Sequence, residues 1–279
     1  MKKCYFLCGQ NVIISASYFP YDSDYWKLFE TEESTSDLSI SCIICDELPA
    51  PDGNLSGSNN TISVYCKGDD IFRYASMGTD SGAMTHYSKS DSSKTETFIV
   101  ERNYNVLMDS RYMWNTIALS QIMLTKNVLF FHSSFINYNG NGILFSAPCG
   151  TGKSTQAALW EKYRNAQIIN GDKSGVSVKN GVVYANGVPF CGTSNICKNV
   201  TVPLKAIVLL EQAKENSVIQ LKGVKALQML MQNIYLDMLA PDEQRMCIDL
   251  LIEIMAKVPV YLLKCTPDEQ AVNTLEKVL

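Results

Sequence analysis

The segment 142–160 constrains the fold more than any other part of this sequence. Its residues, GILFSAPCGTGKSTQAALW, are an apolar strand pattern, a glycine-rich loop and a helix start. This order is the structural context that a Walker A sequence requires. Ala147 stands where the pattern G-x-x-x-x-G-K-[ST] has its first glycine, and a residue this small still permits the turn. The segment therefore predicts a strand that leads into a P-loop.

The residues of this loop have the chemistry needed to hold a nucleoside triphosphate. Backbone N–H groups of a glycine-rich loop at a helix N-terminus form an anion site. In such a loop the Lys153 ammonium reaches the β- and γ-phosphates, and the Ser154 hydroxyl holds Mg²⁺. ATP and Mg²⁺ are therefore the predicted cofactors, with Lys153 exposed in the loop. The predicted ATP-binding residues are Gly150, Thr151, Gly152, Lys153, Ser154 and Thr155.

A P-loop site also needs a carboxylate that completes the metal site or activates the nucleophile. Two apolar strand patterns end in an acid, one at Asp172 and the other at Glu211. Gly171 gives the chain before Asp172 the freedom to turn this carboxylate toward the phosphates. We therefore predict that Asp172 is the metal ligand and that Glu211 is a solvated strand end.

The segment from 131 to 172 resembles HPr kinase/phosphorylase and its relatives, whose nucleotide fold is shared with phosphoenolpyruvate carboxykinase. The resemblance extends over about 128 to 265. It implies an α/β (mixed α+β) fold with a P-loop core of this type, and a homo-oligomer. The residues that carry it are FHSS at 131–134, the Asn-Gly hairpin at 139–142, the P-loop, and NGD at 170–172.

The resemblance also implies roles for single residues. In that family a histidine precedes the hairpin, and His132 stands at this place. An acidic pair follows the P-loop helix, its first member a general base and its second a metal ligand. Gly171 occupies the first position here and Asp172 the second. Asp172, His132 and Lys153 are therefore the candidate catalytic residues, with Asp172 or His132 as the general base. The candidate metal ligands are Ser154 and Asp172.

The resemblance also concerns the reaction. The family's Glu-x-Arg-Gly stretch, which is associated with phosphorolysis, is absent from this sequence. The chain is similar to the shorter HPr-kinase-like proteins found with peptide-modifying systems, which phosphorylate serine or threonine of a peptide. We therefore expect an ATP-dependent phosphotransferase whose acceptor is a hydroxyl of a peptide or protein. A kinase for a small hydroxylated metabolite and a nucleotide-binding sensor without transfer are the alternatives.

Residues 1–108 lie outside the resemblance and predict a β-rich N-terminal module, with acceptor recognition as its hypothetical role. Strand-like runs at 12–14, 39–43, 61–65 and 97–100 alternate with polar stretches, of which 49–60 and 76–94 are predicted loops. The aromatic stretch 22–33 predicts either a short helix or a strand pair. The P-loop domain is predicted over 109–279 and begins with a buried helix that runs to about Lys126.

The remaining pattern of the P-loop domain predicts strands and helices in alternation. Asn-Gly pairs at 180–181 and 186–187 predict a second β-ribbon over 175–190. Apolar stripes predict helices over about 224–239 and 242–257. A last strand is expected over 258–263, and Pro267 opens a terminal helix.

Charge and cysteine usage exclude other classes of protein. The net charge is −4 and no Lys/Arg run is present, so we expect no nucleic-acid partner. No apolar stretch approaches the roughly 20 residues of a membrane-spanning helix. The N-terminal apolar run is interrupted at Gln10 and predicts a first strand rather than a signal peptide. The ten cysteines are scattered, and Cys42 and Cys45 are predicted core thiols in a cytoplasmic protein.

Overall fold

The computed structural model describes residues 1–20, 23–33, 35–77 and 80–279. The chain forms two compact units, one made of 1–126 with 236–246 and the other of 127–235 with 247–279. Two large mixed sheets with helices confirm the α/β class. The first unit extends past residue 108, where the sequence pattern places its boundary. A role of 1–108 in acceptor recognition stays a prediction.

The first unit is built on a sheet of eight strands in the order β1-β2-β3-β8-β7-β6-β5-β4. β3 runs parallel to both β2 and β8, and the other neighbours are antiparallel. Its elements are β1 (Lys2–Leu7), β2 (Gln10–Ser15), α1 (Asp24–Lys27), β3 (Leu38–Cys45), β4 (Asn54–Ser58), β5 (Ile62–Lys67), β6 (Asp70–Met77), β7 (Asp80–Ser88), β8 (Lys94–Val100), α2 (Tyr104–Leu107), α3 (Met113–Thr116) and α4 (Leu119–Leu124).

The predicted strands of this unit are confirmed in β2, β3, β5 and β8, whereas two predicted loops are wrong. The polar stretches at 49–60 and 76–94 contain β4 and β7. Pairing with β5, β6 and β8 supplies the hydrogen bonds that these weakly patterned segments need. Within 22–33 the helix alternative is correct, as α1, while residue 22 lies outside the described residues.

The predicted helix from Asp109 to Lys126 is buried, as expected, but it is not continuous. It consists of α3 and α4, separated at Ala118. Ala118 has a φ of 51°, in the left-handed region that a continuous helix does not contain.

A buried ion pair fixes the segment 236–246 within the first unit. Arg73 Nη1 donates to both carboxylate oxygens of Glu243 at 3.0 Å, and the Tyr87 hydroxyl donates to Oε1 at 2.5 Å. The side chains of Arg73 and Glu243 are only 4% and 5% exposed. Burial, with the nearby Glu243 charge, raises the pKa of Tyr87 well above its ordinary value. The hydroxyl therefore stays a donor to this carboxylate.

We expect Arg73→Met to lower the free energy of unfolding by about 3 to 5 kcal/mol, because it leaves the Glu243 carboxylate buried without a counter-charge. Urea denaturation of the full chain measures this loss. The double variant Arg73→Met/Glu243→Met should lose less than the single variant, since it buries no charge. A loss below about 1 kcal/mol for the single variant would show that the pair does not anchor this segment.

The second unit contains a sheet in the order β10-β9-β12-β13-β14-β16-β15, with β11 on β9 and a further pairing between β10 and β14. β10, β14 and β16 are parallel. The elements after residue 126 are β9 (Val128–Tyr138), β10 (Asn141–Ser146), α5 (Lys153–Arg164), β11 (Gln167–Asn170), β12 (Lys173–Lys179), β13 (Val182–Asn186), β14 (Thr201–Gln212), β15 (Ser217–Leu221), α6 (Gly223–Met231), α7 (Pro241–Lys257), β16 (Val260–Cys265) and α8 (Glu269–Glu276).

Two Asn-Gly turns join neighbouring strands, as predicted. The φ angles are 52° and 78° at Asn139 and Gly140, and 51° and 77° at Asn180 and Gly181. Positive φ at both central residues gives the type of turn that matches the twist of a hairpin. The β9–β10 hairpin is therefore confirmed, and so is the ribbon of β12 and β13, which ends at Asn186. The turn predicted at 186–187 is wrong, because neither Asn186 nor Gly187 has a positive φ.

The helix predicted over about 224–239 ends early, because α6 stops at Met231. The chain then pairs with β9 instead. His132 N–H donates to the Asn233 carbonyl and Tyr235 N–H donates to the Phe130 carbonyl, both at 2.8 Å. Backbone bonds to an existing strand replace the helical bonds, so periodicity alone overestimates the length of this helix.

The apolar core of the second unit fixes the angle between β10 and α5. Trp160 of α5 is fully buried beside Phe145 of β10, and its ring lies edge-on to Tyr138 of β9, with centroids 5.1 Å apart. Removing such a ring from a core costs several kcal/mol, about 3 to 5 in typical cases. The loop between β10 and α5 is therefore held at both ends by packed elements.

A polar contact ties α5 to α8. Arg164 Nε donates to both carboxylate oxygens of Glu276 at 2.8 and 2.9 Å, and the Tyr138 hydroxyl donates to Oε1 at 3.0 Å. The bonds from Arg164 are the main reason why the pKa of Glu276 is lowered. A lowered pKa in the folded chain stabilises it above the ordinary value of 4.5, and this contribution is lost as the pH falls through the lowered pKa.

We expect the pKa of Glu276 to rise toward its ordinary value in Arg164→Met, with a smaller loss of stability on acidification. Carboxyl NMR titration of the full chain measures the first effect, and urea denaturation across pH 2 to 6 the second. Lys162→Met, an exposed cation of the same helical turn, is the control and should leave both unchanged. If the pKa of Glu276 is the same in Arg164→Met as in the wild type, the hydrogen bonds from Arg164 are not the cause of its lowered pKa.

Among the described residues, no helix combines the length and the apolar character needed to cross a membrane.

Candidate active site

The loop between β10 and α5 has the conformation that its glycines predict. Gly150 and Gly152 have φ angles of 78° and 114°, which side chains with a Cβ rarely adopt. α5 begins at Lys153, directly after Gly152. The side chains of Ser154 and Thr155 are exposed at this helix end. The first turn therefore presents unpaired backbone N–H groups and two hydroxyls next to each other.

Lys153 is not exposed, which corrects the expectation from the sequence. Its side chain is 7% exposed, and Nζ donates to the carbonyls of Ala147 and Pro148 at 2.8 and 3.2 Å. Burial lowers the pKa of Lys153, while the charge of Asp172 acts in the opposite direction. The ammonium thus closes the loop onto itself and lies within electrostatic reach of Asp172.

Asp172 contacts His132 at the start of β12. The distance from His132 Nε2 to Asp172 Oδ1 is 3.2 Å. The hydrogen bond from His132 is the main cause of the lowered pKa of Asp172. Partial burial raises this pKa, whereas the charges of His132, Lys173 and Lys153 lower it further. Ser146, the last residue of β10, donates to the His132 carbonyl at 2.9 Å. The structure thus brings the three candidate catalytic residues, Asp172, His132 and Lys153, into one site.

Asn170 holds the turn that carries Asp172, and the sequence analysis missed it. Its Oδ1 accepts from the backbone N–H groups of Asp172 and Lys173 at 2.9 and 3.0 Å. Its Nδ2 donates to the carbonyls of Val188 and Phe190 at 2.9 and 2.7 Å. An Asn before Gly-Asp favours such a turn, so the sequence did contain a signal. Asn170 positions Asp172 against the segment around residue 190.

Ser194 occupies the space beside Gly171, where the resembling family has an acid. A Cβ on Gly171 would lie 2.2 Å from Ser194 Oγ and 2.4 Å from its Cβ. Gly192 lies directly against Asp172, since a Cβ added to Gly192 would be 2.7 Å from Asp172 Cγ. An acidic side chain at 171 does not fit this arrangement. The short turn Gly192–Ser194 packs directly on Asp172.

Glu211, the alternative acid, lies at the end of β14 and contacts Lys264. The distance from Lys264 Nζ to Glu211 Oε1 is 2.9 Å, and the Glu211 side chain is 50% exposed. The next residue, Gln212, donates to the carbonyls of Gly150 and Thr151 at 3.3 and 3.5 Å. Gln212 therefore supports the loop, which no sequence pattern indicated.

The candidate metal ligands are an exposed hydroxyl, Ser154, and one ionised carboxylate, Asp172. Within 1–20, 23–33, 35–77 and 80–279, no group of three or more His, Cys, Asp or Glu side chains could hold a metal ion. Mg²⁺ bound to a nucleotide takes only one or two protein oxygens and keeps phosphate and water ligands. The donor set therefore fits a magnesium–nucleotide complex and no metal centre built from protein ligands alone.

This chain is similar to a solved structure of the HPr(Ser) kinase/phosphatase from Coxiella burnetii. The aligned region covers 53% of this chain and 94% of the other chain, with 11% sequence identity and a TM-score of 0.34. No curated protein matches the sequence. The model of the family described as SynChlorMet cassette protein ScmC matches residues 102–279. Since this match extends over more than half of the chain, the chain belongs to the ScmC family of SynChlorMet cassette proteins.

Proposed function

We propose that this protein is an ATP-dependent kinase that transfers the γ-phosphoryl group to a hydroxyl, namely that of Ser or Thr in a peptide or protein. One observation carries the proposal: Asp172 contacts His132 beside the loop that contains Lys153, since Ser146, the last residue of β10 before this loop, donates to the His132 carbonyl. A cation, a carboxylate and an imidazole next to an anion-binding helix end are the groups that phosphoryl transfer to an alcohol needs.

The loop would hold the nucleotide. Backbone N–H groups from Gly150 to Thr155 would bind phosphate oxygens at the positive end of α5. Lys153 would exchange its two loop carbonyls for phosphate oxygens, a stronger, charge-assisted interaction. Mg²⁺, when bound, neutralises charge on the phosphates, and Ser154 and Asp172 are the residues that would hold it. The lowered pKa of Asp172 keeps its carboxylate ionised for this task.

The acceptor proton would pass to Asp172 or to His132. Both atoms of their contact, Oδ1 and Nε2, can accept a proton when not already protonated. The contact with Asp172 orients the imidazole, and the β9 backbone bond to Asn233 fixes its main chain. With Ser194 in the place of a second acid, this pair has to supply both the metal ligand and the base.

A nucleotide-binding sensor is the second candidate, because the position of the missing acid is filled rather than open. A sensor would bind ATP and would transfer nothing. A kinase for a small metabolite would use the same groups with another acceptor.

Incubation of the pure protein with Mg²⁺, γ-labelled ATP and an extract of its own cells separates these functions. We expect label on Ser or Thr of a peptide, identified by mass spectrometry, and none with Asp172→Asn. Label confined to small molecules would indicate a metabolite kinase, and ATP binding with no labelled product would indicate a sensor. Absence of ATP binding would refute all three.

A further inference from the structure

A second lysine faces the candidate site. Lys173 is the first residue of β12, and the β12–β9 register places it directly opposite His132. Directly opposed residues of antiparallel strands project from the same face of the sheet. Lys173 also follows Asp172, whose pKa its charge helps to lower. Lys173 is therefore in the same site as Asp172 and His132, although no sequence motif pointed to it.

The ammonium of Lys173 lies against two aromatic rings. Its Nζ is 3.7 Å from the ring centroid of Tyr235 and 4.8 Å from that of Phe190. Among the described residues, Nζ has no hydrogen-bond acceptor and no carboxylate within ion-pair distance. By contrast, Lys153 donates to loop carbonyls and Lys264 pairs with Glu211. A half-buried cation held only by ring faces retains its N–H groups for an anion.

The rings themselves are fixed by the backbone. Tyr235 N–H donates to the Phe130 carbonyl of β9, and the Phe190 carbonyl accepts from Asn170 Nδ2. Asn170 also holds the N–H group of Lys173 itself. The same side chain therefore positions Lys173, Asp172 and one wall of the aromatic cage. A cation held in place before the reaction costs little reorganisation when charge develops beside it.

We propose that Lys173 binds the phosphoryl group during its transfer, as a second cation in addition to Lys153. The inference rests on the proposed function. In the step, the bond from the γ-phosphorus to the ADP oxygen breaks and a bond to the acceptor oxygen forms. The acceptor proton passes to Asp172 or His132, and the bonding electrons leave with ADP. Lys173 exchanges no proton and donates hydrogen bonds to the oxygens of the phosphoryl group, on which the negative charge is spread.

The test uses the full chain and an analogue of the transferring group, so that the acceptor need not be known. Calorimetry measures the affinity for Mg-ADP, alone and with aluminium fluoride, which mimics the phosphoryl group between donor and acceptor. We expect aluminium fluoride to tighten Mg-ADP binding to the wild type. In Lys173→Met, the affinity for Mg-ADP alone should stay within about twofold of the wild-type affinity. The gain in affinity that aluminium fluoride produces should be at least about tenfold smaller than in the wild type.

Two further variants and a stability measurement make the result specific. Lys173→Arg keeps the positive charge and should retain most of the gain. Lys179→Met changes an exposed lysine at the other end of β12 and should behave as the wild type. Lys173→Met should be at least as stable to urea as the wild type, because it removes an unpaired, half-buried charge. A merely structural lysine would instead lower the stability without changing the gain.

The outcomes separate the inference from the proposed function. A full aluminium fluoride gain in Lys173→Met, or no gain in a wild type that binds Mg-ADP, would overturn the role of Lys173 alone. A wild type that does not bind Mg-ADP would overturn the proposed function and the inference with it.

Discussion

Asp172→Asn is expected to slow phosphoryl transfer by roughly a hundredfold or more while ATP still binds. The amide has the shape of the carboxylate, but it accepts no proton and offers Mg²⁺ no charge. The lowered pKa of Asp172 indicates that the native side chain is ionised at neutral pH, so the variant removes a charge that the site contains. The loop and Lys153 remain, and they are the groups expected to bind the nucleotide. Transfer to peptides of the cell extract measures the rate, and calorimetry measures ATP binding.

Glu211→Gln is the matched control, because it makes the same change at the other strand end. Glu211 contacts Lys264 and is half exposed, and such pairs contribute little to stability. We therefore expect its transfer rate to stay within a few-fold of the wild type. If Glu211→Gln is inactive and Asp172→Asn is active, the metal site lies at the end of β14 and the resemblance to HPr kinase is misaligned.

Lys153→Ala is expected to abolish Mg-ATP binding, because it removes the only cationic side chain of the loop. The buried position of Lys153 adds a second effect, since its loss removes the donor to the Ala147 carbonyl, whereas the Pro148 carbonyl still accepts from the Thr151 N–H at 3.4 Å. One lost donor to a partly buried group costs about 1 to 3 kcal/mol. We therefore expect a modest loss of stability, which the sequence alone did not predict.

Calorimetry with Mg-ATP and circular dichroism on the same sample separate the two effects. Lys264→Ala serves as the control, since Lys264 is a strand-end lysine paired with Glu211 and should leave binding unchanged. Unchanged ATP affinity in a folded Lys153→Ala protein would remove the P-loop assignment and the proposed function that depends on it.

The polar contacts that define the site come from segments far apart in the chain. His132 and Asp172 meet because β9 and β12 pair, and their pairing register is not visible in either segment alone. Tyr235 joins them only because α6 stops at Met231 and the chain returns to β9. The apolar stripe that predicted a longer helix describes local periodicity, whereas backbone bonding to a neighbouring strand decided the outcome.

By itself the sequence determined the parts that are local. The β10–loop–α5 unit, the Asn-Gly turns at 139–140 and 180–181 and most strands follow from residues adjacent in the chain, because backbone φ preferences and apolar alternation act over a few positions. Only the tertiary structure decided that Lys153 is buried, that Ser194 fills the space beside Gly171, and that Lys173 lies between two rings. Burial and charge environment depend on which distant segments pack together. The type of a single residue does not indicate which distant segments will pack against it.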